Sequence, residues 1–215
     1  MKIKWLGHSC FLLTSKEGTR ILMDPFTPGQ FQNYPEFREA ADIVTVSHGH
    51  ADHNNVAAAT GNPVVVKESK GQKIKDISIR GVDVWHDEKQ GKERGADIIF
   101  CLEIDGIRFC HTGDLGHILD AGQLKELGDV DVLCLPIDGV FNIDAGKAQK
   151  VCNDIKPRVA IPMHYKTDRC DWPQWSARDF VRDAGNVRNL DSNETEITAD
   201  KLPAATEYLI FAMPC

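Results

Sequence analysis

Residues 48–53 read His-Gly-His-Ala-Asp-His, and they follow a strand-like run at residues 42–47, Asp-Ile-Val-Thr-Val-Ser. Three imidazoles and a carboxylate within six residues suit neither a hydrophobic core nor a generic polar turn. Because alternate residues of an extended chain face the same way, His48 and His50 can reach one metal ion. The aspartate and the third histidine follow where the chain must turn, and they can address a second ion beside the first.

Three isolated residues further along the chain can complete such a site. His86 ends a strand-like run. Asp114 follows a glycine at the end of a second such run, and His164 follows a third strand-like run. Residues placed just beyond strands are often the ones that bind or react. Imidazole and carboxylate donors suit zinc, manganese, iron and nickel, so the set predicts two divalent ions, with zinc as the first candidate and Mn²⁺, Fe²⁺ or Ni²⁺ as alternatives.

Residues 48–53 resemble the H-x-H-x-D-H signature of the metallo-β-lactamase superfamily. The resemblance covers residues 6 to 165, because four more segments are similar to motifs of the same superfamily. They are Leu-Gly-His-Ser-Cys at 6–10, Met-Asp-Pro at 23–25, His-Thr-Gly-Asp at 111–114 and Pro-Met-His-Tyr at 162–165. The chain looks most like the metal-dependent hydrolase branch, which is related to ascorbate-phosphate lactonases and to phospholipase-D-type N-acyl phosphatidylethanolamine hydrolases.

The resemblance implies seven metal ligands. His48, His50 and His86 would hold the first ion, Asp52, His53 and His164 the second, and Asp114 would bridge the two. For the third ligand of the first ion His86 is favoured, because it ends a strand-like run before a loop, and His111 is the rival. If His111 is not a ligand, it is expected to pack or hydrogen-bond beside the site.

Two further residues are expected near the ligands. Asp24 is predicted to accept a hydrogen bond from a ligand imidazole and fix its tautomer, although an aspartate before a proline is also an ordinary turn residue. His8 is expected either to line the pocket or to pack.

The resemblance also implies the fold, an α/β four-layer αββα sandwich with two central mixed β-sheets flanked by helices. At 215 residues, with 42% hydrophobic and 27% charged content, the chain suits a single domain over 1–215. Strands are predicted at 2–7, 10–14, 19–24, 42–47, 63–66, 74–79, 82–86, 98–104, 107–111, 130–135, 158–161 and 206–212. Helices are predicted from Asn54 or Asn55 to about Gly61 and at 119–127, 144–154 and 174–183, with loops at 25–35 and 87–97 and an Asp-Gly hairpin turn at 105–106.

The predicted function is metal-dependent hydrolysis of an ester-type bond, either a phosphodiester or a lactone. Two ions about 3.5–4 Å apart lower the pKa of water toward 7, so no separate nucleophile is needed. Asp52 and Asp114 are the candidate catalytic residues. A non-catalytic metal-binding or partner-binding module is the alternative. Flavodiiron reductases are disfavoured, since they resemble H-x-E-x-D-H and this chain has His50 at the glutamate position.

Composition restricts the partners. There are 25 Lys and Arg residues against 32 Asp and Glu, a net charge of −7, which disfavours nucleic acid and leaves a small-molecule substrate. Lys92, Arg94 and Lys166 favour a phosphorylated substrate if they face the pocket and a lactone or other ester if they face solvent. The seven scattered cysteines predict buried free thiols in a cytoplasmic protein, and no apolar run approaches the ~20 residues of a membrane span. The sequence leaves open whether the chain forms a homo-oligomer.

Overall fold

The computed structural model describes residues 1–29 and 32–214. Two mixed β-sheets share one buried core, and short helices pack on one of them, so the predicted α/β sandwich is confirmed. The strands are β1 (Lys2–Gly7), β2 (Cys10–Thr14), β3 (Arg20–Met23), β4 (Glu39–Ala40), β5 (Ile43–Thr45), β6 (Ala59–Thr60), β7 (Val64–Val66), β8 (Gln72–Ile74), β9 (Ile77–Trp85), β10 (Ala96–Ile104), β11 (Ile107–His111), β12 (Val132–Pro136), β13 (Val159–Met163), β14 (Val187–Asn189), β15 (Glu194–Glu196) and β16 (Glu207–Ile210). The α-helices are α1 (Ala121–Leu127), α2 (Ala145–Ile155) and α3 (Ala177–Phe180), and 3₁₀ turns cover Val56–Ala58 and Ala199–Lys201.

The first sheet has six strands in the order β15-β1-β2-β3-β5-β7. The pairs from β15 to β3 are antiparallel, and β3, β5 and β7 are parallel. The second sheet has eight strands in the order β14-β16-β13-β12-β11-β10-β9-β8. It is antiparallel from β8 to β11 and parallel from β11 onward, and α1, α2 and α3 contact it.

The strand directions bring many loops to the same edge of the sandwich. In the first sheet β1, β3 and β5 run the same way, and in the second β9, β11, β12 and β13 do. Each of these strands ends one to three residues before a residue that the sequence or the structure places in the site. Those residues are His8, Asp24, His48, His86, Asp114, Asp138 and His164.

Local sequence explains the turns that set these positions. Asp105 and Gly106, between β10 and β11, both have positive φ, as the predicted two-residue hairpin requires. Between β1 and β2, Gly7 has φ +111°, and a Cβ there would lie 2.6 Å from the ring of Tyr34. Only glycine accommodates both demands, and the tight turn delivers His8 to the site.

Several predicted elements differ from the structure. The helix expected after Asn54 or Asn55 is a single 3₁₀ turn, because the short segment instead pairs as β6 with β4. The helix expected at 174–183 shortens to α3, where Ser176 and Asp179 form a capping box inside the predicted range. The break expected between the strands at 74–79 and 82–86 is absent. Strand β9 runs unbroken through Gly81, and the turn before it lies earlier, at Lys75 and Asp76.

Six of the seven cysteines are buried and free, as expected, and Cys215 lies outside the described residues. The predicted loop at 25–35 includes residues 30 and 31, which are likewise outside them, and its described part contains no helix or strand. Within 1–29 and 32–214 no helix has both the length and the apolar character needed to cross a bilayer.

Candidate metal centre

The first cluster of donors consists of His48, His50 and His86. One ligand atom from each lies within 4.8 Å of the other two. His48 Nε2 is 3.0 Å from His50 Nδ1, and the rings of His50 and His86 are 5.0 Å apart. His48 and His86 are buried, whereas His50 is exposed toward the cavity that it lines.

The second cluster consists of His8, Asp52, His53 and His164, again with ligand atoms within 4.8 Å of one another. Asp52 Oδ2 lies 3.1 Å from His8 Nε2, 3.7 Å from His164 Nε2 and 3.8 Å from His53 Nε2. The three imidazoles are fully or almost fully buried, and the Asp52 side chain is 17% exposed. This carboxylate therefore lies between the buried imidazoles and the cavity.

Asp114 lies between the two clusters. Its Oδ2 is 3.1 Å from His86 Nε2 and 3.3 Å from His53 Nε2, and its Oδ1 is 3.4 Å from His164 Nε2. One carboxylate thus faces donors of both clusters, as a bridging ligand must. Asn142 Nδ2 donates to Asp114 Oδ1 at 3.3 Å, which restricts the rotation of the carboxylate.

The side chains behind the ligands are mainly carboxylates. Asp24 Oδ2 is 2.8 Å from His53 Nδ1, Asp138 Oδ2 is 2.8 Å from His164 Nδ1, and Asp97 Oδ1 is 3.3 Å from His48 Nδ1. Such partners fix the tautomer of an imidazole, so that its other nitrogen presents a lone pair to the metal. Asp24 therefore makes the contact that the sequence predicted for it.

His111, the rival of His86, points both nitrogens away from the clusters. Its Nε2 lies 2.7 Å from the Ser9 carbonyl, and its Nδ1 accepts a hydrogen bond from the Gly113 N–H at 3.2 Å. The geometry assigns the proton to Nε2 and occupies both nitrogens with backbone partners. The structure thus brings His86 rather than His111 to Asp114.

His8 contacts the site more closely than a packing residue would. Its ring centroid is 3.9 Å from that of His164, and it is 1% exposed. Burial and the neighbouring His164 lower the pKa of His8 to about 4, so the ring is neutral at pH 7 and Nε2–H can donate to Asp52. His8 therefore orients a predicted ligand.

The charged groups of the centre stabilise one another. Burial opposes the ionisation of Asp114, but the surrounding imidazoles, His164 foremost, hold its pKa well below the usual range. Burial also disfavours charge on His164, yet Asp114 and Asp138 raise its pKa to about 10. In the same way Asp114 raises the pKa of His53 against the effect of burial. A divalent cation would satisfy the same carboxylates, and its binding would displace protons from the imidazoles.

The donor set fits divalent metal binding. His53 Nε2 and His164 Nε2 are buried without a hydrogen-bond partner among the described residues, and each faces Asp114 across 3.3–3.4 Å. Two ligand atoms bound about 2.05 Å from a tetrahedral ion lie about 3.3 Å apart. The separations are therefore those of ligands arranged around a shared cation rather than of a closed hydrogen-bond network.

A cavity of about 610 Å³ opens onto these donors. Its floor is formed by residues of both clusters, and its walls include Phe141 and Trp172. Arg94 and Glu93 lie at the rim. The size and the mixture of apolar walls with a few polar groups are typical of sites for small molecules.

Three residues of the site were not predicted from sequence: Asp97, Asp138 and Trp172. Asp138 follows β12, so the rule that led to Asp114 and His164 applied to it as well. Asp97 lies inside β10 and Trp172 in an irregular segment, and neither carries a local signal. Their roles depend on contacts between residues far apart in sequence.

Comparisons with known proteins agree with this geometry. The sequence profile of the β-lactamase superfamily domain matches residues 2–164. A UPF0173 metal-dependent hydrolase of Archaeoglobus fulgidus is 34% identical over 198 residues, covering 78% of this chain and 84% of its own length. A second, from Carboxydothermus hydrogenoformans, is 32% identical over 206 residues, covering 80% and 86%.

A crystal structure of a metallo-β-lactamase superfamily member from Thermotoga maritima superposes with a TM-score of 0.81 at 31% identity, covering 98% of this chain and 97% of that one. Fold, motifs and matches therefore place the chain in the metallo-β-lactamase superfamily, which confirms the resemblance. Within the superfamily, it belongs to the UPF0173 family of metal-dependent hydrolases.

Proposed function

We propose that this chain hydrolyses an ester-type bond, a phosphodiester or a lactone, in a small-molecule substrate, using two divalent metal ions. The observation that carries the proposal is the position of Asp114, whose two carboxylate oxygens face donors of both clusters. A site that served only to hold the fold together would not need an open cavity of about 610 Å³ above its donors.

The ligand assignment follows the two clusters. His48, His50 and His86 would hold one ion, Asp52, His53 and His164 the other, and Asp114 both. Imidazole donors suit zinc, iron and nickel, and carboxylate donors suit manganese; we propose zinc as the first candidate. Bound ions would make water nucleophilic near neutral pH and stabilise the negative charge of the transition state.

The protein's own groups orient the reactants. Asp52 faces the cavity while His8 holds its Oδ2, so the carboxylate is placed to accept a hydrogen bond from the attacking water. Burial raises the pKa of Asp52, but the neighbouring His164, His8 and His53 together bring the pKa below its usual range, and the group is ionised at neutral pH. We assign Asp52 and Asp114 as the residues that contact the reacting atoms.

We further propose that residues 1–215 form one domain and that the protein works in the cytoplasm. The side chains of both sheets belong to one core, and six buried thiols are free, as a reducing compartment allows.

The test is a panel of substrates with the purified protein before and after loading with zinc or manganese. Bis(p-nitrophenyl) phosphate, simple lactones and thioesters separate the substrate classes. We expect metal-dependent turnover of a phosphodiester or a lactone, abolished by Asp114→Asn and retained by Asp183→Asn, which changes an exposed aspartate. Full loading with metal but no turnover of any member would contradict hydrolysis and favour a non-catalytic module.

A further inference from the structure

The rim of the cavity carries a cation. Of the three basic residues that the sequence placed beside the ligands, Arg94 lines the cavity, whereas Lys92 and Lys166 are exposed outside its lining. The Arg94 side chain is 33% exposed, and its Nη1 is 3.8 Å from Glu93 Oε2. Glu93 is itself paired with Lys89 at 2.5 Å, so it is shared between two cations.

The loop that carries Arg94 is held in place by Asp87, the residue that follows His86. The carboxylate of Asp87 accepts four backbone N–H bonds, from Lys89 at 2.7 Å, Gly91 at 2.9 Å, Glu93 at 3.0 Å and Arg94 at 2.8 Å. The loop is therefore organised around a fixed charge, and Arg94 starts from a set position relative to the metal centre.

An aromatic wall lies beside this cation. The guanidinium carbon of Arg94 is 5.5 Å from the centroid of the Phe141 ring, and Nη2 donates to the Val140 carbonyl at 3.4 Å. Phe141 meets Trp172 edge to face at 5.2 Å, and its side chain remains 47% exposed. Exposed aromatic surface inside a cavity is a common feature of binding sites.

The Arg94 cation lies in negatively charged surroundings. The two proposed divalent ions would neutralise most of the five carboxylates of the centre, but the whole chain has a net charge of −7, so an anionic molecule still meets an unfavourable field on approach. Arg94 has further N–H donors besides the one given to Val140, and these can bind carboxylate, phosphate or phosphonate oxygens.

We infer that the substrate is an anionic ester with a flat apolar group: Arg94 binds the anionic oxygens, and Phe141 and Trp172 receive the apolar group. The inference rests on the proposed function and narrows it. The anion can be the scissile phosphodiester itself or a carboxylate elsewhere on the molecule, and the experiment distinguishes these sources.

Kinetics with three p-nitrophenyl substrates test the charge. Bis(p-nitrophenyl) phosphate is anionic at the reacting group, p-nitrophenyl hemisuccinate is anionic away from it, and p-nitrophenyl butyrate is neutral. Arg94→Met is expected to lower kcat/KM about tenfold for the anionic substrate that the site recognises and less than about twofold for the neutral one. Lys92→Met removes the same charge two residues away and is the matched control. An equal loss on all substrates, or the same loss in the control, would overturn the inference.

Binding measurements provide a readout that needs no turnover. Calorimetry with the metal-loaded protein compares phenylphosphonate with inorganic phosphate. Phe141→Ala is expected to weaken the binding of phenylphosphonate about tenfold and that of phosphate little. Arg94→Met is expected to weaken the binding of both ligands. Unchanged phenylphosphonate affinity in both variants would overturn the inference. Arg94-dependent binding without hydrolysis of any ester would instead contradict the proposed function and leave the binding assignment standing.

Discussion

The carboxylate of Asp138 contacts His164 and the aromatic wall at the same time. Its Oδ2 is 2.8 Å from His164 Nδ1, and its Oδ1 accepts backbone N–H bonds from Val140 and, at 2.9 Å, Phe141. One buried side chain therefore orients a predicted metal ligand and fixes the loop that forms part of the substrate cavity. Asp87, the residue after His86, likewise fixes a loop that lines the cavity, the one that carries Arg94.

Asp138→Asn tests this coupling. Loss of the charge behind His164 is expected to weaken metal binding about 10–100-fold, as is usual for such outer partners. Titration with zinc against a competing chelator measures the change, and Asp183→Asn is the control. Unaltered zinc affinity in Asp138→Asn would show that the contact has no influence on the ligand.

His86 and His111 are distinguished by replacing each with alanine. His86→Ala is expected to lose one of two metal ions, because its Nε2 faces Asp114. His111→Ala is expected to retain both ions and to lose about 1–3 kcal/mol of unfolding free energy, since it leaves the buried Ser9 carbonyl unpaired. Elemental analysis and urea unfolding give the two values, and metal loss in His111→Ala with full retention in His86→Ala would reverse the assignment.

Gly113 permits the chain to reach Asp114. Its φ is +53°, and a Cβ there would overlap the Asp97 carboxylate and lie 2.8 Å from Ser47 Cβ. Gly113→Ala is expected to destabilise the fold by about 1–3 kcal/mol through backbone strain and displacement of Asp97. Gly185→Ala, where a Cβ meets nothing within 4 Å, is the matched control. Equal melting temperatures for the two variants would refute the steric argument.

Stability at acid pH is expected to depend partly on a pair far from the site. Arg108 donates to both oxygens of Asp131 at 2.8 Å, and this lowers the pKa of Asp131, whereas an unfolded aspartate titrates near 3.9. Because the folded pKa is the lower one, the pair stabilises the protein above about pH 3.9 and ceases to do so as the pH falls through the folded value.

The measurement is urea unfolding of the wild type and Asp131→Asn with chelator present, from pH 3 to pH 7. The variant is expected to be less stable by about 1–3 kcal/mol near neutrality, with the difference shrinking below pH 4. A difference that stays constant over the whole range would mean that ionisation of Asp131 contributes nothing.

The sequence predicted those features that depend on short-range patterns. The ends of β1 and β2, the hairpin turn at Asp105 and Gly106 and the cluster at 48–53 all carry their signal within a few residues. The helix expected at 174–183 exists but is shorter, and its predicted start was wrong because the capping box of Ser176 and Asp179, and not only apolar spacing, decides where the helix begins.

Asp97 and Asp138, two of the carboxylates behind the ligands, were found only in the three-dimensional structure. Asp97 lies 49 positions from the His48 that it contacts, and Asp138 lies 26 positions from His164. Asp138 follows a strand, as Asp114 and His164 do. Nothing in the local sequence distinguishes Asp97 from an ordinary charged residue, since it acts only through His48, which the packing of the two sheets brings close. Trp172 becomes part of a wall for the same reason.

A crystal structure of the zinc-loaded protein, with anomalous scattering recorded at the zinc edge, tests the central claim most directly. Two peaks about 3.5–4 Å apart are expected, one among His48, His50 and His86, the other among Asp52, His53 and His164, with Asp114 contacting both. Anomalous peaks only elsewhere on the surface, or fully loaded crystals with no peak within bonding distance of Asp114, would contradict it.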